Sequence, residues 1–90
     1  MPSAVILLSV DASQTTRIAE SIADLAGVTE VYSVAGNFDI VAIVRVATNE
    51  ELADLVTDRI RPIPGIVNSQ TLIAFRTYSP SEVNALFDLG

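Results

Sequence analysis

The sequence predicts an α+β fold of the ferredoxin-like type, a βαββαβ chain with a four-stranded antiparallel sheet. Apolar strand-like segments alternate with amphipathic helical segments, and the strand–helix–strand pattern occurs twice. A short glycine-containing link between the second and third strands is typical of a hairpin. No linker or low-complexity stretch interrupts this order, so residues 1–90 are predicted to form a single domain.

The first strand–helix unit begins with a predicted strand over residues 4–10, which are apolar and rich in branched side chains. Residues 11–13 offer side chains that can cap a helix. Gly27 suits the left-handed conformation that ends a helix. The buried stripe of this helix is predicted from three apolar residues at helical spacing: Ile18, Ile22 and Leu25.

The second unit begins with the predicted hairpin, in which strands over 28–35 and 38–47 flank a turn at Gly36 and Asn37. Thr48 and Glu51 have capping-box spacing, which predicts that each side chain satisfies the other residue's backbone N–H. The apolar stripe of the second helix is Leu52, Leu55, Val56 and Ile60.

The end of the chain is predicted to contain one more strand and a short C-terminal helix. Pro62 and Pro64 end the second helix, and a strand over residues 66–77 follows. Pro80 suits the first position of the last helix. The buried side of that helix is predicted to be Val83, Leu86 and Phe87.

The predicted third strand is apolar on both faces. One face carries Phe38, Ile40, Ala42, Val44 and Val46, and the other carries Val41 and Ile43. A strand with one solvated face alternates apolar and polar residues, and the helices cover only one face. We therefore expect a second copy of the chain to cover the other, with the sheets packed face to face. The alternative is that the C-terminal helix folds back, although a short helix cannot span a sheet face.

The composition argues against direct nucleic-acid binding. The formal net charge is −6, from 11 acidic residues and 5 arginines, without lysine or histidine. Arg59 and Arg61 are the only close basic pair, and acidic residues lie beside them. Without cysteine there is no disulfide or thiolate chemistry. The N-terminus does not resemble a signal peptide and no apolar run is long enough to span a bilayer, so we expect a cytoplasmic protein.

The residues themselves predict no catalytic residue, no metal site and no cofactor. Most carboxylates lie on predicted helix surfaces, and Gly36 is isolated from other glycines. Asp39, directly after the hairpin turn, could accept a hydrogen bond from a ligand's ammonium group or from nearby backbone, and both interpretations stay open. Ser69 and Thr71 share one face of the last strand while Gln70 faces the other way; without a pocket beside them they are ordinary strand residues.

Two segments resemble a known family. The segment VYSVAGNFDIV at 31–41 resembles the "vtGxyD" hairpin of the ligand-binding domain of the Lrp/AsnC family. The segments IPGIV at 63–67 and TLI at 71–73 resemble that family's "lpGV…T" entry to the last strand. The resemblance covers about residues 4–77. It implies a regulation-of-amino-acid-metabolism (RAM) domain, which pairs into a dimeric α/β barrel and often assembles into tetramers or octamers.

The resemblance also implies a site. Family effectors, usually amino acids, bind between dimers near the Gly-x-x-Asp hairpin. Gly36 and Asp39 match that motif, and Asn37 and Phe38 occupy its variable places. The glycine backbone can approach a carboxylate, and Asp39 can pair with an ammonium group. Three residues fall where the last strand approaches that pocket: Ser69, Gln70 and Thr71.

By this resemblance the chain is the stand-alone form of the domain, because nothing but Met1–Ser3 precedes the first strand where the family carries a helix-turn-helix. The expected function is a homo-oligomeric amino-acid sensor that acts alone or modulates a full-length regulator, and not an enzyme. One alternative is a small dimeric α/β-barrel monooxygenase or isomerase, with Tyr32 or Asp39 handling protons. The other is a structural partner that co-assembles with a DNA-binding relative.

Overall fold

In the computed structural model, which describes residues 1–78 and 80, the chain forms a four-stranded antiparallel sheet with its helices on one face. The strands lie in the order β2-β3-β1-β4, so β1 and β3 are central. Their bounds are β1 Ser3–Val10, β2 Val28–Ser33, β3 Ile40–Arg45 and β4 Ile66–Ile73. The predicted ferredoxin-like α+β fold is confirmed. The predicted C-terminal helix, with Val83, Leu86 and Phe87, lies outside the described residues.

The first helical segment starts with a 3₁₀ turn, Ala12–Gln14, and continues as helix α1, Thr15–Ala23. Asp11 caps it: Asp11 Oδ1 accepts hydrogen bonds from Ser13 N at 3.2 Å and from Ser13 Oγ at 3.0 Å. Ile18 and Ile22 are fully buried, as their spacing predicted. Gly27 has a φ of +93° and no room for a side chain, because an added Cβ would lie 2.7 Å from Val46 Cγ1.

The second helical segment differs from its prediction in two ways. Thr48 Oγ1 accepts from Glu51 N at 3.1 Å, but Glu51 Oε2 accepts from Ala47 N at 3.2 Å, so only half of the predicted capping box is present. Helix α2, Asn49–Asp54, then widens into a π-helical turn, Leu55–Ile60. Residues five apart lie on different sides of an α-helix; the wider turn lets both Leu55 and Ile60 reach the core.

The last three strands, β2, β3 and β4, are shorter than predicted, because a strand continues only where a neighbouring strand pairs with it. The second strand stops at Ser33 and the third starts at Ile40, since only one backbone bond, Val34 N to Asp39 O at 2.9 Å, joins the residues between them. The last strand stops at Ile73, and the following bond, Ala74 N to Ser3 O at 2.8 Å, uses the first residue of β1. Beyond it β1 offers no further strand residue to pair.

The core lies between the sheet and the helices. The inward residues of the two central strands are buried, whereas alternate residues point to the opposite face of the sheet. The buried inward set is Ala4, Ile6, Leu8, Val10, Ile40, Ala42, Val44 and Val46. No helix within the described residues is long and apolar enough to cross a bilayer.

Candidate functional site

Asp39 lies where β3 meets the end of β1, and its side chain completes the pairing there. The backbone ladder between these strands ends at the pair Leu8 and Ile40. Asp39 N donates to Leu8 O at 2.8 Å, and Val10 N donates to Asp39 Oδ2 at 2.9 Å. The carboxylate therefore takes over a backbone bond at a place where β1 also changes register with β4, between Ser9 and Val10. Asp39 therefore accepts a hydrogen bond from nearby backbone, which is one of the two roles that the sequence left open.

The two oxygens of this carboxylate differ in their hydrogen bonding. Oδ2 is held by Val10 N, and within residues 1–78 and 80 no protein donor bonds to Oδ1. Asp39 is half-buried, so its position is fixed while it keeps access to solvent. A carboxylate held in this way can accept a second, charge-assisted hydrogen bond without moving. Oδ1 is therefore available to a further hydrogen-bond donor.

The link before Asp39 leaves its backbone open. Gly36 has a φ of +139°, a conformation that favours glycine, and nothing lies within 4 Å of the position of a Cβ there. Asn37 is exposed and Phe38 is half-buried. Gly36 and Asn37 therefore form an accessible surface beside Asp39, with free space above the backbone of Gly36.

The other predicted site residues lie on the far side of β1. Leu8 pairs with Ile40 on one side and with Ser69 on the other. Ser69 and Thr71 share the face of the helices, whereas Gln70 lies opposite Leu7 on the outer face, as the sequence predicted. Two strand spacings separate β3 from β4, roughly 10 Å. Asp39 and Ser69 of the same chain are therefore not direct neighbours, and β1 lies between them.

The outer face of the sheet, opposite the helices, carries apolar side chains that no described element covers. Its side chains are half-buried or exposed, because the helices lie on the other face. This outer face comprises Val5, Leu7, Tyr32, Val41, Ile43 and Leu72. At its margin the Tyr32 hydroxyl donates to Glu30 Oε2, and this bond, followed by desolvation and the charge of Glu30, raises the pKa of Tyr32.

A cavity of about 490 Å³ lies at the opposite end of the sheet from Asp39, between α2, the start of β2 and the end of β3. Arg59 lines it, together with Gly27 and Leu55. A smaller, more polar cleft of about 280 Å³ lies at the start of β4 and includes Ser69. Arg61 lines this second cleft, so the two neighbouring arginines face different cavities and form no joint basic patch.

The described residues contain no group of three or more histidine, cysteine, aspartate or glutamate side chains that could hold a metal ion. Sequence reasoning missed Arg61 and Asn68 as parts of a cleft beside Ser69. The available signal was an arginine directly before the Pro-x-Pro-Gly stretch that leads into the last strand, 62–65.

Comparison with known proteins assigns the domain. The family model of the Lrp/AsnC ligand binding domain matches residues 3–83. The HTH-type transcriptional regulator PF0250 of Pyrococcus furiosus is 42% identical over 60 residues, which are 67% of this chain and 40% of that protein. The chain spans less than half the length of the curated relatives it matches, from 40% to 49%.

Solved structures share the fold. TTHA0845 of Thermus thermophilus has a TM-score of 0.83 and 42% identity, over 88% of this chain and 99% of that chain. The complex of NMB0573 with L-Met, from Neisseria meningitidis, has a TM-score of 0.75 over 89% of this chain and 55% of that chain. At 17% identity the second structure supports the fold alone. The chain belongs to the Lrp/AsnC family, and the part of it that matches is the ligand-binding domain.

Proposed function

We propose that the chain is an oligomeric, cytoplasmic regulatory domain that binds an amino acid. The observation that carries this proposal is the carboxylate of Asp39, fixed through Oδ2 by Val10 N with Oδ1 open to a ligand. Family membership supports a small-molecule effector. The complex of NMB0573 with L-Met supports an amino acid as its chemical class. The relatives are named as transcriptional regulators, which supports a regulatory rather than an enzymatic role.

The two charged groups of an amino acid fit two residues of the hairpin link, residues 34–39: Asp39 and Gly36. Its ammonium group donates to Asp39 Oδ1 in a charge-assisted hydrogen bond. Its carboxylate lies over Gly36, where no side chain blocks approach to the backbone. Asn37 and Phe38 flank the ligand between these two residues.

The remaining site residues come from a second copy of the chain. β1 separates Asp39 from Ser69, Gln70 and Thr71 of the same chain by two strand spacings, roughly 10 Å. A site between copies removes this separation, because the hairpin link of one copy meets β4 of another. The specificity for the effector's side chain then depends on assembly, which couples binding to the oligomeric state.

A second copy also covers the outer face. Contiguous apolar residues that face solvent on a sheet are typical of interaction surfaces. Two such faces packed against each other form a symmetric dimer, in which the same residues meet on both sides. Dimers then associate into tetramers or octamers through the edges that carry the hairpin link and β4.

A second candidate function is co-assembly with a DNA-binding relative. The observation that favours it is the length of the curated relatives, which are HTH-type regulators more than twice as long as the matched segment. A ligand-binding domain that joins such an assembly supplies effector sites or ring positions to the regulator. Co-purification of such a relative with the tagged chain would support this function.

An amino-acid panel tests the proposed site through the melting temperature. A ligand that binds only the native state at 100 times its dissociation constant stabilises it by about 2.7 kcal/mol. We expect one or a few of the twenty amino acids to raise the melting temperature of the wild type. Asp39→Asn should abolish this rise, because it removes the charge but keeps an oxygen that can accept from Val10 N.

Two controls make this panel decisive. Asp24→Asn removes an exposed carboxylate after α1 and should leave the ligand response unchanged. Asp39→Ala removes the Val10 bond as well and should melt at a lower temperature than Asp39→Asn even without ligand. Unchanged melting with all twenty amino acids would contradict the sensor, and a normal response of Asp39→Asn would move the site elsewhere.

A further inference from the structure

We propose that the cavity beside helix α2 binds an ω-amino acid, a small molecule whose ammonium group and carboxylate lie at opposite ends of an apolar chain. This α2 cavity lies at the opposite end of the sheet from Asp39 and has a volume of about 490 Å³. Small-molecule sites range from roughly 300 to 1,000 Å³, so the volume suits such a ligand. The lining residues that carry the proposal are Leu25, Gly27, Val46, Asp54, Leu55 and Arg59.

The floor of the α2 cavity is apolar. Val46 and Leu55 line it with side chains that are only 7% and 5% exposed, and Leu25 lines it half-buried. Gly27 carries no side chain that could cover this floor, although its Cβ position lies 2.7 Å from Val46 Cγ1 and 3.6 Å from Leu55 Cδ2. A methylene chain that packs on the floor is removed from water, which favours binding.

The π-helical turn places two opposite charges on the same side of the α2 cavity. Asp54 and Arg59 are five residues apart, and residues at this spacing lie on different sides of an α-helix. Here the turn is wider, with Arg61 N donating to Val56 O at 3.0 Å, also five residues apart. Both Asp54 and Arg59 therefore line the cavity. Turns of this kind are frequent at functional sites.

The charged groups of Asp54 and Arg59 are both available to a ligand. Both residues are exposed, and within residues 1–78 and 80 neither side chain makes a hydrogen bond or an ion pair. The other acidic residue of the lining, Glu51, already accepts from Ala47 N at 3.2 Å. The side chain of Arg45 points to the other face of the sheet, by the alternation of β3. The lining thus offers one open carboxylate and one open guanidinium.

The separation of these two groups selects a ligand with distant charges. Asp54 and Arg59 line one cavity without meeting in an ion pair, and five residues rise about 7.5 Å along a helix. A chain that crosses the apolar floor at Leu55 places its ammonium group at Asp54 and its carboxylate at Arg59. Both contacts are charge-assisted hydrogen bonds. The ligand carries no net charge, so it matches a lining that contains both signs.

α-Amino acids fit the α2 cavity less well, lysine included. In these molecules an ammonium group is bonded to the carbon next to the carboxylate. A carboxylate held by Arg59 would bring that ammonium group against the guanidinium, and like charges repel. The α2 cavity therefore does not take the class of ligand proposed for Asp39, and neither proposal rests on the other.

Saturation-transfer-difference NMR on the intact chain tests the α2 cavity, with 6-aminohexanoate as the observed probe. We expect a saturable signal. Hexanoate lacks the ammonium group and hexylamine lacks the carboxylate, so each should bind roughly tenfold more weakly than 6-aminohexanoate. Lysine should also bind more weakly, because of its second ammonium group.

Substitutions assign each end of the probe to one residue. Asp54→Asn and Arg59→Gln should each weaken the binding of 6-aminohexanoate roughly tenfold. Asp54→Asn should leave the binding of hexanoate unchanged, because hexanoate has no group that bonds to this carboxylate. The matched controls are Asp58→Asn and Arg76→Gln, at exposed positions outside the lining, and both should bind 6-aminohexanoate as the wild type does.

Asp39→Asn separates the α2 cavity from the proposed effector site. It should abolish the response to amino acids and leave the binding of 6-aminohexanoate unchanged, since the two locations lie at opposite ends of the sheet. The proposal is overturned if 6-aminohexanoate gives no saturable signal, if hexanoate or hexylamine binds as tightly, or if Asp54→Asn or Arg59→Gln binds 6-aminohexanoate like the wild type.

Discussion

Ile43→Asp is expected to separate the two copies that pack face to face and so to lower the mass of the assembly of 9.6 kDa chains. Ile43 lies in the middle of the outer face, paired with Val5 of β1 and with Glu30 of β2. If a second copy covers this face, the substitution places an unpaired carboxylate in an apolar interface, which costs several kcal/mol on each side of a symmetric dimer. Sedimentation equilibrium measures the resulting mass.

The matched control for this experiment is Ala53→Asp, which adds the same charge at an exposed position of α2. This variant should keep the mass of the wild-type assembly. An Ile43→Asp protein that is folded and still assembles like the wild type would show that the outer face is not the interface between copies.

Ile6→Ala is expected to lower the free energy of unfolding by about 4 kcal/mol. Ile6 is fully buried in the central strand, where it pairs with Ala42 and Thr71. The lost methyl and methylene groups and the remaining cavity both contribute, and a small domain has a total stability of only about 5–15 kcal/mol. Urea unfolding followed by circular dichroism measures the change, at one protein concentration because assembly adds to the apparent stability.

Ile6→Val serves as the graded control, because it removes a single methylene from the same site and should cost about 1 kcal/mol. Equal losses for the two variants would contradict the close packing between the sheet and the helices. An intact wild-type stability in both would show that Ile6 does not lie in the core.

The pattern of the sequence was sufficient for the fold because each helix and strand carries its own periodicity. Ile18 and Ile22 are buried as their helical spacing predicted, and alternation along β3 assigned Ala42 and Ile43 to opposite faces. Gly27 has the predicted positive φ, but α1 ends at Ala23, so this glycine lies in the turn directly before β2 and does not end the helix. These features depend on local spacing, which the sequence shows directly.

Other features depend on contacts that only the folded chain makes. In the π-helical turn Leu55–Ile60 both end residues are buried in the core, and this packing depends on the sheet and not on local spacing. β4 ends where β1 offers no further residue to pair, which no local pattern encodes. Glu51 reaches Ala47 N rather than Thr48 N, a choice between adjacent donors that the spacing of the capping box does not resolve.

The candidate site was predicted in its parts and not in its arrangement. Asp39 was singled out from the sequence, but its bond to Val10 N depends on a partner 29 positions away in the chain. The separation of Asp39 from Ser69 by β1 follows from the strand order, which is a property of the tertiary structure. Arg61 and Asn68 were not predicted to line a cleft for the same reason, because the cleft at the start of β4 lies between the end of the π-helical turn and an edge strand.

Native mass spectrometry of the wild-type chain with the amino-acid panel tests directly whether this domain is an assembled amino-acid sensor, because one spectrum reports both the number of chains and the mass of a bound ligand. We predict assemblies of an even number of 9.6 kDa chains that carry one or more added masses of a single kind of amino acid. Spectra that contain only single chains, or assemblies without an added mass for any of the twenty amino acids, would contradict it.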